Sequence, residues 1–151
     1  MRRSDRAIEE SEARDLLEKS EYGVLSTVSG DGIPYGVPLN YCVIDNSIYF
    51  HSATVGKKID NIEINKFVSF CIVGNTELLP GKFATKYESV IVSGEVREVF
   101  NVEKQLALER LVHKYSPDFF DKGRKYIEGS INKTRVFKIL INKFTGKARK
   151  Q

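Results

Sequence analysis

The stretch GVLSTVSGDGIPYGVPLNYCVIDNSIYF, residues 23–50, decides the fold. Val24, Ser26 and Val28 alternate with Leu25 and Thr27, the period of two expected of a half-buried strand. Gly-Asp-Gly at 30–32 supplies the positive φ angles of a hairpin turn. The return strand is crossed by Pro38, and Asp-Asn at 45–46 makes a second turn before SIYFHSA. Two turns this tight predict three sequential antiparallel strands, a meander. They leave no room for the helix that each parallel crossover would need.

Working outward, residues 11–20 read as a short helix capped by Ser11, with Leu16 and Leu17 inward and Gly23 closing it. Downstream, KKIDNIEIN (57–65) reads as a helix with Ile59 and Ile62 on one face. KFVSFCIVG (66–74) is a strand and NTELLPGKFATK (75–86) a loose loop. YESVIVSGEVREVF (87–100) is a long strand with Gly94 at a bend or bulge. Residues 101–116 form the clearest helix, with Asn101 as cap and Leu106, Leu108, Leu111 and Val112 at helical spacing. A shorter helical piece at 117–129 precedes a final strand at 134–144. Six mostly antiparallel strands with few helices predict a mainly β fold, a small closed or half-open barrel with flanking helices.

The 151 residues fit one domain spanning 1–151, with 41% hydrophobic and 29% charged residues. No apolar run reaches membrane-spanning length, and the first fifteen residues lack the apolar core of a secretory signal. A cytoplasmic protein without membrane contact is expected. Cys42 and Cys71 sit in strand-like stretches and read as free thiols; with two histidines they form no metal-ligand cluster, so no metal is expected. The net charge of +4 is modest. Its C-terminal concentration, NKFTGKARKQ, reads as a solvated basic end, with nucleic-acid binding the weaker alternative because no basic strand is interleaved with aromatics.

One local pattern asks for a ligand. Gly56, Lys57 and Lys58 stand where strand SIYFHS gives way to a helix. A helix start carries positive partial charge and unpaired N–H groups, so paired lysines there are unfavourable unless an anion arrives. Ser52 can add a hydroxyl. A solvated lysine pair with Thr54 as an ordinary cap is the plain alternative. A Walker A loop is excluded, because glycine would be needed at His51 and Ser or Thr at Lys58. Two charge-assisted hydrogen bonds supply about 3–6 kcal/mol, whereas micromolar affinity needs about 8. A second, flatter surface must therefore bury the rest of the ligand. Pro38 marks one candidate, since a strand proline leaves the ladder incomplete beside it; an edge strand blunted against aggregation is the alternative. His51 lies just before the loop, and His113 reads as structural at a helix C-terminus.

Taken together, YGVPLNY, YFHSATVGKKIDNI and KYESVIVSGE, with FTGKARK near the end, resemble the 5-nitroimidazole resistance family. That family belongs to the flavin-binding split β-barrels related to pyridoxamine 5'-phosphate oxidase. The resemblance runs from residue 2 to 150. It implies an antiparallel split β-barrel of the FMN-binding type, a homodimer with FMN (FAD the alternative) in a cleft between subunits. Ser52, Lys57 and Lys58 would hold the flavin phosphate, and Ala53 would also contact the cofactor. Val37, Pro38, Leu39 and Asn40 would run along the isoalloxazine ring, His51 would be catalytic or position ligands, and Glu88, Ser89 and Val90 would form another wall from the same or the other subunit. It further implies an oxidoreductase, nitroreductase-like, using a nicotinamide donor and a small-molecule substrate, or a flavin-binding sensor or store without turnover. Haem or deazaflavin binding also occurs among split barrels. The chain has no tryptophan and no recognisable arginine-rich pocket for pyridoxal phosphate, so vitamin B6 oxidation is not expected.

Overall fold

A computed structural model describes residues 3–150. Residues 1, 2 and 151, which the single-domain reading and the resemblance touch, lie outside the described residues. Seven strands form one antiparallel sheet in the order β2-β1-β5-β6-β7-β4-β3. The strands are β1 (Gly23–Val28), β2 (Pro34–Leu39), β3 (Cys42–Ile44), β4 (Ser47–Ser52), β5 (Phe67–Leu79), β6 (Ala84–Val99) and β7 (Arg135–Arg149). The helices are α1 (Glu10–Lys19), α2 (Lys57–Ile64), α3 (Asn101–Tyr115) and α4 (Phe120–Ser130). No helix among the described residues is long and apolar enough to cross a membrane.

Both expected turns exist. Gly32 takes φ 83° between β1 and β2, and Asp45 takes φ 52° between β3 and β4. The meander between them does not. The stretch expected as one return strand breaks at Asn40 and Tyr41, and β2 and β3 leave for opposite ends of the sheet. Tyr41 explains the break. Its ring is fully buried and meets Phe70 edge-on at 4.9 Å, and its hydroxyl donates to the Leu17 carbonyl. Its backbone N–H donates to the Tyr115 hydroxyl at 3.0 Å, a side chain standing in for a ladder partner. The sheet is thus open between β2 and β3, half-open rather than closed, and the strand count rises from six to seven.

Other boundaries shift for local reasons. The expected loose loop at 75–86 is paired instead: β5 and β6 continue past a bulge between Val73 and Thr76 to a turn at Pro80–Lys82. The basic end is no solvated tail, because β7 carries it along β6 as far as the Tyr87–Arg149 pair. Gly94 does sit at an irregularity of the β6–β7 register, where a Cβ would run into the Leu140 carbonyl oxygen. Glu9 rather than Ser11 precedes α1, and Ser20, not Gly23, follows it. Gly56, not Thr54, precedes α2. Phe100 precedes α3, leaving Asn101 as its first residue at φ 52°.

Two cores result. The concave side of the sheet packs Leu25, Ile48, Phe50, Phe70, Val92 and Ile139, closed by Ala13 and Leu17 of α1 and Ile59 and Ile62 of α2. The second packs Tyr49, Val99 and Val136 under Leu108, Leu111 and Ile127 of α3 and α4. Strand β4 serves both, so residues 47–50 are all buried and its alternation is hidden. Both cysteines are free, Cys42 buried and Cys71 partly so.

Candidate functional site: the β4–α2 corner

The corner is built from one continuous segment. Pairing with β7 holds the end of β4, Phe50 with Phe137, His51 with Val136 and Ser52 with Arg135. Ser52 points inward and is 4% exposed. Among buried side-chain atoms of the described residues, its Oγ alone has no hydrogen-bond partner. An unpaired buried hydroxyl costs about 1–3 kcal/mol, so such a group is expected to have an occupant or a role.

After Ser52 the exposed residues Ala53, Thr54 and Val55 lead to Gly56, whose φ of 143° suits glycine and beside which a Cβ would meet open space. The helix ladder begins when Ile59 N–H donates to the Gly56 carbonyl at 2.8 Å. The N–H groups of Lys57 and Lys58 stay outside that ladder. Among the described residues, neither lysine side chain has an ion-pair or hydrogen-bond partner. Lys57 is exposed and Lys58 half-buried. An inward hydroxyl without a partner, a free helix start and two ammonium groups without an ion pair thus fall within the single segment 52–58, a set of groups suited to a phosphate or another small anion.

His51 opens to solvent beside them. Partial burial, and secondarily the Lys58 charge, push its imidazole below the ordinary value, so it is neutral at pH 7. An anion bound at Lys58 opposes that second effect. Its binding is expected to raise the His51 pKa, measured by NMR titration of the ring protons with and without ligand. A pKa that falls, or stays fixed, on saturation would place the anion elsewhere.

Arg135 was not singled out by the sequence. Its guanidinium holds Glu98 bidentately at 3.0 and 2.7 Å and Glu63 of α2 at 2.9 Å, and these partners raise its pKa further. The three residues lie far apart along the chain, and no local pattern could have joined them.

The remaining residues implied by the resemblance fall on other parts of the sheet. Val37 and Leu39 turn toward the inner core, and Pro38 and Asn40 are exposed. Val37, Pro38 and Leu39 lie on β2, a true edge that pairs with β1 alone, as Pro38 predicted, and Asn40 follows its end. Glu88, Ser89 and Val90 are far from the corner within one chain. Val90 is fully buried, and nine residue steps along β6, about 30 Å of strand, separate it from Val99, whose partner Val136 pairs with His51. Glu88 lines a groove of about 660 Å³ beside Leu16, Tyr22 and Gly74. Ser89 pairs with Val73 and shares its outer face.

That outer face has a distinctive composition. In register across β2, β1, β5 and β6 run Pro38, Val24, Cys71 and Ile91, and beside them Gly36, Ser26, Ser69 and Ser93. Neither row holds a charge. Exposed Phe67 and Val73 extend the same face along β5.

Residues 9–148 match the family model described as pyridoxamine 5'-phosphate oxidase. The chain belongs to the pyridoxamine 5'-phosphate oxidase family. Solved structures agree in fold. A candidate 5-nitroimidazole antibiotic resistance protein from Bacteroides thetaiotaomicron is 23% identical, with TM-score 0.81 over 94% of this chain and 86% of its own. A FAD-binding protein from Mesorhizobium loti is 25% identical, with TM-score 0.67 over 95% and 97%. A FAD and haem binding protein from Mycobacterium smegmatis is 14% identical, with TM-score 0.83 over 95% and 72%. No curated protein matches. Membership of the family covers nearly the whole chain and accounts for an open antiparallel sheet with flanking helices.

Proposed function

We propose that the chain is a cytoplasmic split-barrel flavoprotein, an FMN-dependent oxidoreductase of the nitroreductase type. The observation that carries this reading is the partnerless Ser52 hydroxyl beside the free start of α2. The residues fit a flavin phosphate: Ser52 Oγ and the first N–H groups of α2 would donate to it, and Lys57 and Lys58 would neutralise it. A terminal phosphate monoester favours FMN, while the names of two similar structures, FAD-binding proteins, support FAD as the alternative. Bound flavin supplies hydride and electron transfer, which explains why the chain needs no nucleophile or carboxylate pair of its own. Neutral His51 would stand by the ring, orienting a substrate nitro group or presenting a proton.

A second copy completes the cleft in this proposal. The row Pro38, Val24, Cys71 and Ile91, with exposed Phe67 and Val73 on the same face, supports it, since exposed apolar patches mark association surfaces. Such a dimer would also let Ser89, or its neighbours Glu88 and Val90, approach the other copy's flavin, and would set Val37–Asn40 along the ring.

The test is anaerobic spectroscopy of the purified protein with FMN, each nicotinamide and a nitroimidazole. Flavin uptake, bleaching by a nicotinamide and reoxidation by the nitro compound are expected. Protein that takes up no flavin rejects the proposal. Flavin that binds but never bleaches supports the non-catalytic sensor or store.

A further inference from the structure

Resting on that reading, we propose that Asn61, acting through Thr27, is a positioning residue that sets where the start of α2 stands relative to Ser52. The helix is only eight residues long, too short to be stable alone, so tertiary contacts must place it. Its buried side is small: Ile59, Ile62 and, between them, Asn61, which is 2% exposed. A third aliphatic residue would bury more favourably there, because a polar group must recover its lost hydration through hydrogen bonds. Asn61 recovers it across elements. Its Nδ2 donates to Thr27 Oγ1 of β1 at 2.9 Å, and that hydroxyl, 1% exposed, donates to the Tyr35 carbonyl of β2 at 3.4 Å.

Apolar contact tolerates rotation and sliding, whereas a buried hydrogen bond has a direction. The Asn61–Thr27 bond therefore fixes the roll and axial position of α2 against the β1–β2 hairpin. Ser52 is fixed separately, by its ladder to Arg135 on β7. The relative placement of the two halves of the anion corner is thus directed by this buried bond, beyond what the apolar contacts of Ile59 and Ile62 impose. At the solvent side of the same helix, Glu63 to Arg135 adds a weaker exposed tether. Neither Asn61 nor Thr27 touches the ligand in this arrangement.

The experiment compares wild type, Asn61→Leu, Thr27→Val and the double variant, titrated with FMN and with riboflavin by quenching of flavin fluorescence. Riboflavin has the same ring and no phosphate. Each variant is expected to weaken FMN binding by about tenfold or more, with riboflavin binding unchanged. The double variant should be no worse than the worse single one. A purely structural role would weaken both ligands together, and that result, or an unchanged FMN-to-riboflavin ratio, overturns the inference. Thr27→Val keeps shape and burial, so it carries the test if Asn61→Leu does not fold. Wild-type protein showing no preference for FMN over riboflavin would sink the phosphate-corner reading itself. Wild-type preference retained in both variants would sink the positioning role alone.

Discussion

Replacing Lys57 and Lys58 together by alanine lowers FMN affinity by about a hundredfold or more and leaves riboflavin affinity unchanged. Two charge-assisted hydrogen bonds at about 1.5–3 kcal/mol each correspond to a factor of at least a hundred at about 1.4 kcal/mol per decade. Partial exposure of the ammonium groups keeps the loss near the low end of that range. The ligand-free protein should melt at the same temperature or slightly higher. Among the described residues neither lysine has an ion pair or hydrogen bond to lose, and Lys57 loses only a longer-range attraction to Asp31. Alanine is a better helix former, and a cation at a helix start is unfavourable. Equilibrium titration with both flavins, beside a thermal melt, reads all three quantities. Unchanged FMN affinity would mean that the corner seats no phosphate.

Phe70→Ala is expected to have the largest effect on stability. The ring is completely buried, meets Tyr41 edge-on at 4.9 Å and covers the place where a Cβ on Gly23 would sit. Truncating a buried phenylalanine costs about 3–5 kcal/mol through lost burial and a residual cavity. Against a domain stability of about 5–15 kcal/mol, that removes about a fifth or more. Urea unfolding should show a much lower midpoint at similar slope. Because Tyr41 also marks the break between β2 and β3, loss of its ring partner should loosen that opening first, seen as faster amide exchange around Tyr41. A change below 1 kcal/mol would mean that the two core aromatics do not hold the opening.

Much of this was legible in local chemistry. Gly32 and Asp45 occupy the positive-φ turn positions, and Pro38 marks a strand that pairs on one side only. The β4–α2 corner is continuous in sequence, so its residues could be read together. Three things were not legible. Adjacency does not decide pairing, so nothing near Asn40 announced that β2 and β3 would part. The C-terminal half of β7 alternates properly, but its inward residues include Gly146 and Ala148, too small to give an apolar signal beside Lys143 and Lys147. The isolation of the Ser52 hydroxyl is a property of everything around it, and a sequence does not state which groups fail to find partners.

The β4–β7 ladder has a consequence for biosynthesis. Ser52 is held by Arg135, about eighty residues further along the chain, and such distant pairings form late because a long loop must close first. On the ribosome, the nascent chain makes β4 early yet leaves it without the β7 strand that pairs with its end. On the proposed reading, the anion corner is therefore finished only after translation has passed β7, and a nucleotide would load only into a chain already folded through that strand.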